Sequence, residues 1–142
     1  MIKNSWSDWR DINQSAGYKE CAVYRIRLCD QKGPVRISRF LGADGDGILC
    51  IGKTAHMEYR RKQFVNGLKG KYAHSEGNLL YILEQVSPLL KSYPRPAYQY
   101  SFAIVSAGQE DKIEEQEIKA YVRLFGEVPP LNSAIPDRYG QW

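Results

Sequence analysis

An uncharged apolar run in the middle of the chain constrains the fold more than any other stretch. Residues Ile48–Ile51 read Ile-Leu-Cys-Ile and come directly before a Gly-Lys-Thr turn. A short apolar run bounded by turn residues is typical of a buried strand. From Met57 to Leu68 the apolar residues recur at helical spacing. The sequence therefore predicts a strand, then a turn, then a helix over Lys53–Leu68 with Thr54 as its N-cap.

The same stretch formally satisfies the pattern of a phosphate-binding loop, Gly-x-x-x-x-Gly-Lys-[Ser/Thr], from Gly47 to Thr54. Such a loop must wrap its backbone amides around a phosphate. Here the four residues between the two glycines are all apolar and form the core of the predicted strand. The context therefore argues against an ATP-binding function.

Length and composition indicate one soluble globular domain. The 142 residues suffice for a real core, and the hydrophobic share of 43% and charged share of 25% are ordinary. The net charge of +4 permits an anionic partner without requiring one. The three cysteines, Cys21, Cys29 and Cys50, lack metal-type spacing and indicate a reduced protein. No signal peptide is visible, because charged residues and not an apolar run follow the first six residues. No apolar run approaches the ~20 residues of a membrane span. We therefore expect a cytoplasmic protein.

Hydrophobic periodicity and turn residues predict the order β, β, β, α, α, β, α after a short N-terminal element. This order indicates a mixed α/β (α+β) fold, with a small, mainly antiparallel sheet flanked by helices. Residues 1–19 are predicted to be a helical extension, with an amphipathic helix over 4–13, and 20–142 the domain proper. The predicted strands lie at 21–28, 35–41, 48–51 and 98–105, and the later helices at 78–90 and 111–125. Pro88 is expected to kink the second helix or to begin a separate turn, and 93–96 to form a stiff connector.

Five features, in this order along residues 20–132, resemble the GIY-YIG nuclease family. Its two half-motifs are matched by Ala22-Val23-Tyr24 and by Cys50-Ile51-Gly52. Arg60, eight residues after Gly52, lies at the place of the family's catalytic arginine. The remaining two features are Glu115, which resembles the family's metal-binding glutamate by its offset from Ile118, and Pro130-Leu131-Asn132, which resembles the closing Pro-x-Asn.

The chain departs from the family pattern at several positions. Only the tyrosine of the first half-motif is identical, and Cys50 stands where the second has its tyrosine. The gap between the half-motifs is long, so the first hairpin must be extended through Arg36 and Arg39. Phe64 occupies a position where many members have His or Tyr, while His74 resembles a downstream histidine found in some members.

The resemblance implies a Mg²⁺-dependent (or Mn²⁺-dependent) endonuclease that hydrolyses DNA phosphodiester bonds. Tyr24 would be the general base, Arg60 a bidentate phosphate clamp, and Glu115 the metal ligand, with Glu117 as the second candidate. One carboxylate suffices for Mg²⁺, which keeps several waters. Three residues would support the site, namely Lys53, His74 and Asn132. Six basic residues would hold the DNA backbone, namely Arg36, Arg39, Arg61, Lys62, Lys69 and Lys71.

Two alternatives stay open. Cys50 and Phe64 motivate a catalytically weak or inactive nucleic-acid-binding module on the same fold. A partner-binding protein would instead use exposed aromatic side chains and show no salt-dependent DNA affinity. Each candidate side chain taken singly would more often be structural, so the functional hypothesis rests on the joint pattern. An active enzyme that cuts both strands could also be a homodimer.

Overall fold

The computed structural model describes residues 6–94 and 97–142, and it has an α+β fold with a mostly antiparallel sheet. The fold class predicted from the sequence is confirmed. The strands are β1 (Arg10–Asp11), β2 (Ala22–Asp30), β3 (Gly33–Pro34), β4 (Ile37–Arg39), β5 (Gly42–Asp44), β6 (Ile48–Thr54) and β7 (Tyr98–Ile104). The helices are α1 (Met57–Leu68), α2 (Ser75–Val86), α3 (Pro88–Lys91) and α4 (Glu110–Phe125).

The centre of the sheet is β2, which pairs antiparallel with β6 on one side and with β7 on the other. The short β1 extends the sheet beyond β7, β3 pairs with the far end of β2, and β4 and β5 form a separate hairpin. In this register Tyr24 lies opposite Gly52 on β6 and opposite Phe102 on β7. The sheet therefore places β2 directly beside β6, the apolar strand before the Gly-Lys-Thr turn.

One face of the sheet packs against α1 and α2. Because side chains alternate along a strand, Tyr24, Ile26 and Leu28 all point to this face and are buried there. The two helices approach closely at glycines: a Cβ on Gly77 would stand 2.7 Å from the carbonyl oxygen of Phe64. This close crossing brings the N-terminus of α2 beneath the sheet.

The other face of the sheet packs against α4. Val23 and Ile51 contact Ile118 and Tyr121 of that helix in a second apolar cluster. Arg25 also points to this face, with its guanidinium 4.3 Å from the Trp6 ring centroid and 4.7 Å from that of Trp9. The two cation–π contacts hold the N-terminal segment against the sheet.

The predicted N-terminal helix is wrong for the residues that the structure describes. Residues 6–19 contain β1 and turns but no helix, while residues 1–5 lie outside the described part. The backbone N–H groups of Ser7 and Ile12 donate to carbonyls of β7, at Phe102 and Tyr98. Because this backbone is hydrogen-bonded to the edge strand β7, it cannot form a helix. Trp6 and Trp9 pack on Arg25 instead.

Other element boundaries shift for local reasons. The helix predicted from Lys53 begins at Met57, because Lys53 and Thr54 still pair with β2. His56 is its N-cap in place of Thr54, since its Nδ1 accepts from the N–H of Tyr59 at 3.0 Å. The second helix begins early, at Ser75, and Pro88 starts the separate α3.

The strand predicted over 35–41 is interrupted and gives only β4. The connector predicted over 93–96 lies partly outside the described residues. None of the helices in the described part of the chain is long and apolar enough to cross a bilayer.

Candidate functional site

Tyr24 lies with its ring directly over the backbone of Gly52. A Cβ on residue 52 would stand 2.5 Å from Tyr24 Cζ, which is closer than real side chains permit. Any residue but glycine would therefore displace the phenol ring. This contact explains in physical terms why Tyr24 and Gly52 occur together on β2 and β6.

A chain of hydrogen bonds passes through the Tyr24 hydroxyl. Arg60 Nε on α1 donates to the phenol oxygen at 3.2 Å. The same oxygen lies 3.2 Å from His74 Nε2, and His74 Nδ1 lies 3.2 Å from Glu76 Oε2. Ser75 Oγ also donates to Glu76 Oε2, at 2.6 Å. Three elements thus converge on one polar cluster inside an otherwise apolar core.

His74 Nδ1 has two close neighbours that favour different tautomers. It is the N-cap acceptor for the N–H of Gly77 at 3.3 Å, and it lies 3.2 Å from Glu76 Oε2. We assign the ring proton to Nδ1, because a bare ring nitrogen beside a carboxylate oxygen would be repelled by it. In this tautomer Nε2 accepts from the Tyr24 hydroxyl, while the N–H of Gly77 loses His74 as its acceptor. The cluster then runs from Arg60 to Tyr24, to His74 and to Glu76.

Burial controls the protonation of this cluster. Tyr24 is 4% exposed and His74 3% exposed. Burial raises the pKa of Tyr24 well above its ordinary value; Cys50 acts in the same direction, and Arg60 only partly offsets both. Although burial also opposes its charge, hydrogen bonds from His74 and Ser75 hold the pKa of Glu76 down at about 2. Tyr24 is therefore a neutral phenol facing a histidine that a carboxylate orients.

Glu115, the metal ligand expected from the resemblance, does not join this cluster. Its carboxylate accepts from the N–H groups of Arg138 (2.6 Å) and Tyr139 (3.0 Å) and pairs with Lys119 at 3.3 Å. It is 3% exposed. Its oxygens hold the C-terminal tail against α4, and these contacts argue against the expected role of Glu115 as metal ligand, which stays a prediction. The second candidate, Glu117, lines a groove with Trp6 and Arg25 on the α4 face of the sheet.

Glu114 on α4 is a carboxylate within electrostatic range of the cluster. It is half-buried, and its electrostatic neighbours include Lys53, Arg60 and Glu76. Burial raises the pKa of Glu114, Lys53 and Arg60 oppose that rise, and Glu76 adds to it. In the described part of the chain this carboxylate makes no hydrogen bond or ion pair. It therefore remains available to a ligand.

Lys53 and Asn132 support the end of β6. Lys53 forms an ion pair with Asp111 in the first turn of α4, which ties the strand to that helix. Asn132 donates from Nδ2 to the carbonyl of Ile51 and accepts from its N–H through Oδ1, both at 3.0 Å. The side-chain amide thus satisfies the free edge of β6 as a neighbouring strand would, one residue from Gly52.

The six basic residues predicted to bind DNA divide into two groups. Arg61 is buried and donates to Glu58 at 2.8 Å and to the carbonyl of Ile12 at 2.9 Å. Arg39 pairs with Glu127 at 2.7 Å and donates to Val128. Both are structural residues, contrary to the expectation. The other four are exposed, namely Arg36, Lys62, Lys69 and Lys71.

The resemblance implies a divalent cation, and the carboxylates near the cluster can be compared with what such an ion needs. No group of three or more His, Cys, Asp or Glu side chains suited to a metal ion occurs within residues 6–94 and 97–142. Mg²⁺, however, typically takes only one or two protein carboxylates and keeps several waters. Glu114 supplies one half-buried carboxylate that has no cation bound to it. A single carboxylate of this kind is a ligand type that Mg²⁺ and Mn²⁺ use, whereas the Glu115 oxygens are already hydrogen-bonded within the protein.

Sequence reasoning missed Glu76 and Glu114. His74 followed by Glu76 at a helix start is a signal that could have been used, because a capping residue and an acid in the first turn often interact. Glu114 and Glu115 lie four and three residues before Ile118, so both flank the buried side of α4. Helical spacing alone does not choose between them.

Phe64 and Cys50 complete the surroundings of the cluster. The Phe64 ring packs edge-on against His74, with centroids 5.0 Å apart. Cys50 is buried beneath the same face, and burial raises the pKa of its thiol. Comparison of this chain with models of known protein families, with curated protein sequences and with solved structures gives no match.

Proposed function

We propose that the protein is a metal-dependent endonuclease that hydrolyses DNA phosphodiester bonds, in the manner of the GIY-YIG nucleases that its motifs resemble. The observation that supports this most strongly is the hydrogen-bonded series Arg60, Tyr24, His74 and Glu76, lying within electrostatic range of the free carboxylate of Glu114. A purely structural core has no need of so many polar groups in one place.

The series of donors and acceptors suits the activation of water. Tyr24 donates its proton to His74 Nε2 as it takes a proton from the attacking water, so the phenol relays a proton instead of storing a negative charge. Glu76 stabilises the imidazolium that results. Arg60 Nε already faces the phenol oxygen, and its Nη1 donates to Gln63 Oε1 at 3.1 Å. The scissile phosphate would replace Gln63 as the acceptor for this guanidinium.

Glu114 would hold the divalent cation in this proposal. Bound there, such an ion neutralises phosphate charge and stabilises the leaving oxygen. Lys53 helps to position the end of β6 through its pair with Asp111. Asn132 holds the same strand end from the other side, so that Gly52 stays beneath Tyr24.

The test is nicking of supercoiled plasmid in Mg²⁺, Mn²⁺ or EDTA by the wild type, Glu114→Gln and Glu115→Gln. We expect metal-dependent nicking that Glu114→Gln abolishes while its melting temperature stays near that of the wild type. Glu115→Gln should lower the melting temperature and retain nicking at temperatures where it is folded. Nicking that persists in folded Glu114→Gln would remove Glu114 from the proposal.

A nucleic-acid-binding module without catalysis is the second candidate, and the burial of Tyr24 and His74 favours it. A general base must reach water, and both side chains are almost fully covered. If this candidate is right, duplex binding weakens steeply as the salt concentration rises. Plasmid is then not nicked with or without metal, either by the wild type or by Glu114→Gln. Absence of salt-dependent binding would contradict both candidates together.

A further inference from the structure

Tyr72, in the loop between α1 and α2, has a backbone conformation that its side chain disfavours. Its φ of 55° is left-handed, and it is the only residue other than glycine with a positive φ in the described part of the chain. A bulky residue pays a steric penalty there, whereas glycine or asparagine does not. Such outliers occur preferentially at functional sites.

The loop is held firmly in this conformation. The N–H groups of Lys69 and Lys71 both donate to the carbonyl of Asn66 at 3.1 Å, at the end of α1. Gly70 lies against the Tyr81 ring, where a Cβ would stand 2.9 Å from two ring carbons. The exposed position of Tyr72 is therefore built into the backbone and does not depend on the tyrosine itself.

The fold makes no use of the Tyr72 ring. The residue is 82% exposed, and within residues 6–94 and 97–142 its side chain makes no hydrogen bond and no aromatic contact. A smaller, αL-tolerant residue would serve the loop better. A large aromatic side chain at a strained, exposed position thus calls for a contact outside the chain.

The basic residues near Tyr72 indicate that its binding partner is negatively charged. Lys69 and Lys71 are exposed, and neither forms an ion pair in the described part of the chain. Lys62, about two turns earlier on α1, is 64% exposed and has one weak carboxylate contact, with Glu58 at 4.0 Å. An exposed aromatic ring next to two lysines without ion pairs, Lys69 and Lys71, suits a nucleic-acid strand, whose phosphates bind the amines and whose bases stack on the ring.

We propose that Tyr72 is a stacking platform for an unpaired nucleobase next to the scissile phosphate. Tyr72 lies two residues before His74, a separation of at most about 7 Å along the chain, so the stacked base belongs to a nucleotide near the cleavage site. In a continuous duplex both faces of each base are covered by its neighbours. The preferred substrate class is therefore DNA with an exposed base, such as a branch, flap or overhang. This inference rests on the proposed function and adds its substrate class.

The test compares binding of two DNA duplexes that differ only in a short overhang with 2-aminopurine at its first unpaired position. Measurements in EDTA prevent metal-dependent cleavage. The wild type should quench the 2-aminopurine fluorescence and bind the overhang substrate more tightly than the blunt one. Tyr72→Asn should abolish the quenching and weaken overhang binding by roughly 5- to 100-fold, the range measured for loss of one base–aromatic stack. Binding of the blunt duplex should change by less than about twofold.

Stability separates a lost contact from a damaged fold. Because asparagine tolerates a left-handed φ, Tyr72→Asn should melt at or above the wild-type temperature. Tyr72→Phe keeps the ring and should keep both affinity and quenching. Phe40, 76% exposed on the hairpin beside the C-terminal end of α4, provides the matched control, and Phe40→Asn should bind both duplexes as the wild type does.

The inference is overturned if folded Tyr72→Asn retains quenching and overhang affinity, or if it loses affinity for both duplexes equally. Plasmid nicking distinguishes this failure from that of the proposed function. Metal-dependent, Glu114-dependent nicking together with a neutral Tyr72→Asn would leave the nuclease and remove only the stacking role. Absence of any DNA binding by the wild type would overturn both.

Discussion

The ring of Tyr24 lies so close over Gly52 that a Cβ at residue 52 would stand 2.5 Å from Tyr24 Cζ. The two residues face each other across the antiparallel β2–β6 pair. Glycine is needed at residue 52 because a side chain there would clash with the Tyr24 ring. Backbone conformation is not the reason, because Gly52 does not have a left-handed φ. Tyr24 can reach both Arg60 and His74 only because this space exists.

We predict that Gly52→Ala displaces the phenol and breaks both of its hydrogen bonds. Overpacking of this kind costs about 1–3 kcal/mol in the free energy of unfolding. Chemical denaturation measures that loss, and plasmid nicking should fall by at least about tenfold because the relay is broken. Gly45→Ala is the matched control: its Cβ would meet nothing within 4 Å, so stability and nicking should stay near wild type. Equal behaviour of the two variants would contradict the steric argument.

The Tyr24 hydroxyl should matter far more for activity than for stability. Tyr24→Phe keeps the ring and removes the proton carrier, so nicking should fall by roughly 10²- to 10⁴-fold. The loss in unfolding free energy should be about 1 kcal/mol, as for other buried hydrogen bonds. Steady-state nicking rates and urea denaturation provide the two measurements.

Tyr121→Phe is the control for that experiment. The Tyr121 hydroxyl is also buried and donates to Asp44 at 3.0 Å, on the opposite face of the sheet. Its removal should cost similar stability and leave nicking unchanged. If Tyr24→Phe and Tyr121→Phe both retain full activity, Tyr24 has no role in proton transfer and the binding module becomes the better proposal.

Asn132 should support the site indirectly, by fixing the backbone of Ile51 next to Gly52. Asn132→Ala removes two hydrogen bonds to Ile51 at the edge of β6, which should cost about 1–3 kcal/mol of stability. Nicking should fall moderately, since Gly52 and Lys53 lie on the same strand end. Asn132→Asp keeps the acceptor for the Ile51 N–H but loses the donor, so it should lie between wild type and Asn132→Ala. An alanine variant with wild-type stability would show that the strand edge does not need this side chain.

The strands and helices were predictable from the sequence because their apolar patterns are strong. The strand over Ile48–Ile51 and the helix ending at Leu68 both appear as predicted, although the strand continues to Thr54 and the helix begins at Met57 instead of Lys53. The N-terminal segment was not predictable, because its tryptophans have helical spacing but are held by Arg25 and by β7, which lie far away in the sequence.

The candidate site was predictable only in part. Tyr24, Arg60 and His74 are brought together as the motif order suggested. The sequence could not decide between Glu115 and Glu114, because the choice depends on which side of α4 the C-terminal tail occupies. Arg61 looked like a surface cation beside Arg60, yet its guanidinium donates to the half-buried carboxylate of Glu58 and to the carbonyl of Ile12. Such tertiary partners leave no trace in local spacing.

The Glu58–Arg61 pair should contribute to stability in a way that depends on pH. Hydrogen bonds from Arg61 hold the pKa of Glu58 down at about 2, although burial alone would raise it. A depressed folded-state pKa stabilises the fold above the ordinary value near 4.5, and that contribution is lost as the pH falls toward 2. We expect Glu58 to account for on the order of 1–2 kcal/mol of the fall in unfolding free energy between pH 5 and pH 2, after solvent screening.

Urea denaturation at a series of pH values measures this contribution. Glu58→Gln should be less stable than the wild type at pH 7, and its stability should fall less steeply in acid. Glu20→Gln is the control, because Glu20 is exposed and its carboxylate makes no ion pair in the described part of the chain; its acid profile should match the wild type. An unchanged acid profile for Glu58→Gln would contradict the role of this pair.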